Sequence, residues 1–356
     1  MAPRIETTVT YEDLAAVEHH LDDVDGQILR HEYLLQKPIL DRRSELVANI
    51  PNFWPLVFEG APSAIEEEIE PSDSHVFADA LVDFSVDRFD VDNEPKSYSL
   101  KFTFKANEWF DDEVLEKKFH YRTNCSGARY HVSEPVEIHW KPGKDLTGGL
   151  LDSATALFDA RQRRSLFSTT TIKSQADMDE KVEMKNKVMQ LAEYEALIHK
   201  LEFSDPGYRS FFLLFGFVSH YRYVTAEEHA GALAEHKKAQ DQQENPIWAL
   251  EAERDLDEQE IEICDGGEEL GYKLANDLWP HAIKYFTAAQ ENDTDDDDDT
   301  EDDSESSAMD EDDDSDEEEG KKVDIRSLVQ GKRKKSESLH QNGDGSPAKA
   351  RKMNGK

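Results

Sequence analysis

Tyr98-Ser99-Leu100-Lys101-Phe102-Thr103-Phe104 decides the fold, because every second side chain is large and apolar while the ones between are polar. A strand turns successive side chains to opposite faces, so this period buries one face and wets the other, as an antiparallel sheet does. Three further segments carry the same period. Val82, Phe84 and Val86 alternate with polar neighbours; Leu115, Phe119 and Tyr121 share a face with Lys117; Val136, Ile138 and Trp140 oppose Glu137, His139 and Lys141. Asp92-Asn93-Glu94-Pro95 and Lys141-Pro142-Gly143-Lys144 supply turn chemistry between them. An antiparallel meander of about four strands is predicted.

Upstream lies a long helical pattern. Thr10 and Asp13 form a capping box, with Val9 placed to staple onto Leu14. Leu14, Val17, Leu21, Val24, Ile28 and Leu35 follow a 3-4 spacing, interrupted at His31; Gly26 falls off this seam and is expected to face solvent. Pro38 should kink or end the first run, after which Ile39, Leu46 and Ile50 carry the stripe to Pro51. So narrow a seam on a helix over 10–52 suits another helix, and a second copy of the chain is the simplest partner; packing on its own domain is the alternative.

Downstream, from about Leu150, the chain reads helical. Ser174 and Asp177 cap a run striped by Met184, Val188, Leu191, Ile198 and Leu201, and Phe211, Phe212, Phe215 and Phe217 make a core cluster. Thr225 and Glu228 cap a polar stretch, read as a surface insertion over 220–265. Leu270, Leu274 and Leu278 sit four apart, and Pro280 is expected to force Trp279 out of helical geometry. Long helix, meander, then covering helices is an α+β plan.

Charge is segregated along the chain. Of the 29 residues 291–319, 20 are acidic and none is basic, including Asp295, Asp296, Asp297, Asp298 and Asp299 in a row and Asp312, Asp313 and Asp314 further on. Such a segment has too little apolar surface to offset its self-repulsion and is expected to be disordered. Residues 320–356 reverse sign, with Lys332-Arg333-Lys334-Lys335 as a nuclear import signal read by an importin. The net charge is −38, and −26 of it stands on residues 1–290. That disfavours strong direct binding to DNA and favours basic proteins as partners, through attraction that weakens as salt rises. Two cysteines without metal spacing, no apolar leader and no membrane-length apolar run are expected of a chain in a reducing, intracellular compartment.

Catalytic patterns are missing from the sequence. Gly143-Lys144 lacks the rest of a phosphate loop, and His31-Glu32 has Leu35 where a second zinc-binding histidine belongs. Asp90–Pro95 opens like a calcium loop, but Pro95 stands in place of the turn glycine. No catalytic residue, metal or cofactor is predicted.

Three groups of residues carry a family resemblance. Ile50-Pro51-Asn52-Phe53-Trp54, then Tyr98–Phe104 with Asn107-Glu108-Trp109-Phe110, then Asp277-Leu278-Trp279-Pro280 running into an acidic tail, resemble in that order the nucleosome assembly protein family, and its SET-like branch in particular. The resemblance implies a histone chaperone. It implies a homodimer joined by the long helix (10–52) and an "earmuff" domain over 53–290 of about four antiparallel strands covered by helices. A flexible N-terminus (1–9) precedes these, and the acidic and basic tails follow. Core histones would bind an acidic concavity near Asp265, Glu268, Glu269 and Asp277 and the tail acids. A nuclear location, with shuttling to the cytoplasm, is implied. Two other roles stay open: a regulator that presents histones to an acetyltransferase or inhibits a phosphatase, and an acidic ribosome-assembly factor.

Overall fold

A computed structural model describes residues 9, 11–124, 127–167, 175–204, 210–242 and 260–295. Its sheet is an antiparallel meander in the order β1 (Leu81–Asp87), β2 (Tyr98–Phe104), β3 (Val114–Thr123) and β4 (Arg129–Ser133). Cross-strand register sets Phe84 opposite Phe102, Phe102 opposite Leu115, and Tyr98 opposite Phe119, so one face is nearly all aromatic. Against that face pack Phe58 and Phe77 from α2 (Phe53–Glu59) and α4 (Pro71–Ala80), Phe211 and Phe215 from a 3₁₀ turn at Phe211–Gly216, and Phe217 just after it. Edge-to-face contacts such as Phe77–Phe211, at 5.0 Å between centroids, fill the interior. The predicted α+β plan is what the chain adopts.

Two sequence expectations about the sheet change, while Lys117 keeps the face read for it. The fourth strand is Arg129–Ser133, not 136–140. Residues 136–140 are extended, but their backbone partners belong to different elements: Val136 donates to Phe215 O, and Trp140 bridges Phe110. Val82 is exposed because a bulge between Leu81 and Asp83 shifts the alternation at the start of β1. Lys117 lies fully buried on the aromatic face, where its ammonium donates to the carbonyls of Glu134, Phe215 and Phe217 at 2.7–2.8 Å.

The long helix α1 spans Tyr11–Val47 and runs through Pro38 without a break. Pro38 faces solvent, where water can take the Leu34 carbonyl that the proline leaves unpaired. The helix stops before 52. Asn52 adopts a left-handed conformation (φ 57°) that reverses the chain into α2, a geometry asparagine tolerates better than most residues. α1 also carries a second, seven-residue stripe: Gly26, Tyr33, Leu40 and Val47 are all buried against the body. Gly26 therefore does not face solvent; a Cβ there would meet Pro95 at 3.5 Å.

The helical half comprises α3 (Ser63–Glu66), α5 (Leu150–Arg163), α6 (Gln175–Met189), α7 (Ala192–Phe203), α8 (Ala226–Gln242), α9 (Gly267–Lys273), a π turn (Leu274–Leu278) and α10 (Ala282–Asp295). The single striped run expected from 174 to 201 is two helices, with an extended Leu191 between them. Trp279 keeps helical angles (φ −65°, ψ −49°), contrary to expectation. The π turn before it widens the coil, and Trp279 N reaches back to Leu274 O, so the pre-proline residue stays helical.

Candidate functional site

α9 is pressed onto the sheet by two glycines one turn apart. A Cβ at Gly267 would lie 2.6 Å from the Phe217 ring, and one at Gly271 would lie 2.7 Å from Phe119 and 2.9 Å from Tyr98 Oη. With that side flush against aromatic rings, Glu269 and Tyr272 turn outward. The segment leading into α9 is fixed just as firmly. The half-buried Glu262 carboxylate accepts four backbone N–H groups, from Val218, Ser219, Ile263 and Cys264. Burial nonetheless pushes its pKa up to about 7.

This scaffold brings carboxylates together at the entrance to α9. α3 packs against α9, and Glu68, just past α3, places its Oε1 3.9 Å from the position a Gly266 Cβ would take. Glu68 and Asp265, with Glu262, all bear on the Cys264 thiol, whose pKa burial and then these negative charges raise. Glu66, Glu67, Asp265 and Glu269 are exposed around this point. Glu269 also accepts from Lys273 at 2.7 Å, an i,i+4 pair on an exposed face that contributes little stability.

The four carboxylates singled out from the sequence are therefore not one cluster. Asp265 and Glu269 are both exposed at the start of α9. Glu268 turns inward, where its Oε1 accepts from the His131 backbone N–H and lies 3.0 Å from His131 Nδ1. Burial raises the Glu268 pKa, but these bonds outweigh it and hold the group below its usual range. Asp277 lies a full π turn and helix further on, roughly 18 Å from Asp265 at a helical rise of about 1.5 Å per residue. It accepts from Tyr285 Oη at 2.9 Å and pairs with His281. The sequence reading passed over Glu66, Glu67 and Glu68, because nothing local shows that this run folds beside α9.

The apolar seam of α1 stays uncovered in the single chain. Leu14, Val17, Leu21, Val24, Ile28 and Leu35 are 49–61% exposed. The opposite side of α1 is held to its own body. Asp22 pairs with Lys96 and, at 2.7 Å, with Arg129; Arg30 pairs with Asp92 at 2.6 Å; Tyr33 donates to Asp87 at 2.8 Å. Arg43 stacks 4.9 Å from the Trp279 ring and donates to the Trp279 carbonyl. Among the described residues, none of the chain's own body covers this seam.

Asp295 is the last residue of α10. Asp296–Asp299, Asp312–Asp314, Lys332–Lys335 and Cys125 lie outside the described residues, as does most of the insertion between Gln242 and Glu260. The insertion leaves and re-enters the body side by side, with Glu260 N donating to Tyr221 O at 2.8 Å. Among the described residues, no His/Cys/Asp/Glu group is arranged to hold a metal ion, and no helix is long and apolar enough to cross a membrane.

A putative nucleosome assembly protein of Schizosaccharomyces pombe is 32% identical over 152 residues, covering 40% of this chain and 62% of its own length. Protein SET of Drosophila melanogaster is 32% identical over 157 residues, covering 41% of this chain and 56% of its own length. The matched region thus spans little more than half the length of these relatives. Among solved structures, a Ccp1 mutant aligns over 80% of this chain and 97% of its own (23% identity, TM-score 0.45), and the Vps75 histone chaperone over 79% and 98% (15% identity, TM-score 0.44). The model of the nucleosome assembly protein family matches residues 15–289. By that match, which takes in most of α1, the whole sheet and the covering helices, the chain belongs to the nucleosome assembly protein family.

Proposed function

We propose that the chain is a histone chaperone. It takes core histones on the acidic face where Glu66, Glu67, Asp265 and Glu269 converge, holds them with the 291–319 acidic segment as a second contact, and shields them from DNA during nucleosome assembly. The observation that carries this reading is that α3 packs against α9 and sets Glu68 beside Gly266, with Glu66, Glu67, Asp265 and Glu269 exposed on these segments, on a body bearing −26 before any tail is counted. Histone Lys and Arg side chains bind DNA largely by neutralising phosphates and releasing counterions. A rigid carboxylate surface competes for the same cations, and a tethered acidic segment raises the local concentration of acceptors without adding shape complementarity.

The same reading assigns the α1 seam to a second copy, giving a homodimer with two acidic faces. Lys332–Lys335 serve as an importin-read nuclear signal, and the chemistry is binding rather than turnover. The test is redissolution of histone–DNA aggregates at near-physiological salt. The full chain should release the DNA into soluble, correctly wrapped complexes in proportion to its concentration. Aggregates that persist at a molar excess of chain over histone would contradict the reading.

A further inference from the structure

Besides its carboxylates, the outer side of α9 presents an aromatic ring. Gly267 and Gly271 seat the inner side against Phe217, Phe119 and Tyr98, so Tyr272 is turned to solvent and is 56% exposed. Glu269 precedes it by three residues on the same helix, a spacing that makes the two side chains neighbours on one face, about 5–6 Å apart at Cβ. The Glu269 side chain is itself 72% exposed, and its Oε1 takes Lys273 at 2.7 Å. One side-chain cation is thus already held here, while Glu269 Oε2 has no partner among the described residues. Among the same residues, no other ring or cation is stacked on Tyr272. Arg88, the buried cation near it, donates to Pro95 O and Asn276 Oδ1 instead. A ring with an open face beside a carboxylate with an open oxygen is a pair of groups that one guanidinium satisfies together.

We propose that the acidic face selects arginine over lysine in its ligand, the guanidinium lying on the Tyr272 ring while Glu269 Oε2 accepts one of its N–H groups. The proposal rests on the reading of this face as a surface for basic proteins, and names the basic side chain that the face prefers. Guanidinium is planar and weakly hydrated, so it stacks on an aromatic face and still aims N–H groups sideways at a carboxylate. An ammonium is compact and strongly hydrated, and a carboxylate alone serves it, as Glu269 serves Lys273. The two cations carry equal charge, so long-range attraction to the body does not distinguish them; the ring does. A stacked cation at an exposed site is worth roughly two- to fivefold in affinity. A preference arising at carboxylates alone would be shared by the 291–319 segment and would not depend on position 272. Tyr272 is thus a specificity-determining residue, separable from the charges that supply most of the attraction.

The experiment titrates two synthetic peptides of equal length and charge into the full chain at near-physiological salt. One carries arginine and the other lysine at every basic position, and fluorescence anisotropy reads the binding. The wild type should favour the arginine peptide. Tyr272→Leu should shrink that preference roughly two- to fivefold while leaving the lysine peptide's affinity unchanged. Tyr272→Phe, which keeps the ring, should retain the preference. In parallel, the Tyr272 ring signal in a chain with carbon-13-labelled tyrosine, identified by its absence from Tyr272→Leu, should move further with the arginine peptide than with the lysine peptide. An arginine preference that Tyr272→Leu leaves intact, one that Tyr272→Phe also removes, or a Tyr272 signal that neither peptide moves would overturn this proposal alone. If neutralising Glu66, Glu67, Asp265 and Glu269 to their amides left both peptides bound as tightly as by the wild type, the acidic-face reading would fall, and this proposal with it.

Discussion

The exposed seam of α1 gives the sharpest quantitative expectation. Leu21 and Ile28 are each 59% exposed in the single chain. Complete burial of such a side chain is worth about 1.5–3 kcal/mol, so covering what is open yields about 1–2 kcal/mol apiece. Two positions on two copies give about 4–7 kcal/mol, or a weakening of roughly a thousandfold to a hundred-thousandfold if both are lost. The double variant Leu21→Asp, Ile28→Asp removes that burial and sets four carboxylates across the seam. Its effect should be confined to association, since α1 is tied to its own body by Asp22, Arg30 and Tyr33 on another side. Size-exclusion chromatography with light scattering over a dilution series, with circular dichroism as a check on helix content, reads the outcome. The wild type should hold twice the chain mass at micromolar concentration and the variant the single mass, with helix retained. A variant that stays dimeric over the same range would refute the assignment of the seam, as would a monomeric wild type.

Other expectations follow from buried groups. Burial pushes the Lys117 pKa down to about 7, whereas an unfolded lysine titrates near about 10.4. The unfolded state therefore binds more protons between these values, and the Lys117 contribution makes stability rise with pH across that window. Lys117→Met should abolish the rise. At about pH 9 it should also cost about 2–4 kcal/mol, because the Phe217 and Glu134 carbonyls lose their buried donor; denaturant melts at pH values on either side of 7 check both. Gly26→Ala should stabilise by about 0.5–1 kcal/mol through helix propensity, since its Cβ has ordinary contact distance to Pro95. Gly271→Ala should destabilise by about 1–3 kcal/mol through overpacking against Phe119 and Tyr98; opposite shifts in melting temperature are expected. Asp73, whose pKa burial raises to about 7 while Ser210 and Phe211 donate to it, should make Asp73→Asn more stable relative to wild type as pH rises from about 4 to 7.

What the sequence disclosed was what local periodicity encodes. Tyr98–Phe104 and Leu115–Phe119 announced their inner face because an unbroken two-residue period has one structural solution. The same rule misled at Val136–Trp140, where alternation serves a segment bonded to Phe215 and to the 110–111 loop rather than to a neighbouring strand. β4 was hidden by burial on both faces, which erases the alternation that would have marked it. On α1, the eye finds Leu and Ile at the exposed seam but passes over Gly26, Tyr33, Leu40 and Val47, a stripe whose glycine matters through the close approach it allows. At the acidic face, the charges were visible but their grouping was not: Glu68 comes beside Gly266 only because two glycines seat α9 and Glu262 fixes the segment before it. Glu268 reads from sequence as one more surface acid, and its commitment to His131 is a tertiary fact.

The central claim is that a fixed carboxylate surface, not acidity in general, receives the histones. Its most direct measurement is equilibrium titration of labelled core histones, at two salt concentrations, against the full chain and a variant carrying Glu66→Gln, Glu67→Gln, Asp265→Asn and Glu269→Gln. With exposed pairs worth about 0.2–1 kcal/mol each, the variant should bind roughly tenfold or more weakly at the lower salt and show a shallower dependence on salt. Equal affinity and an equal salt slope for both proteins would contradict the claim.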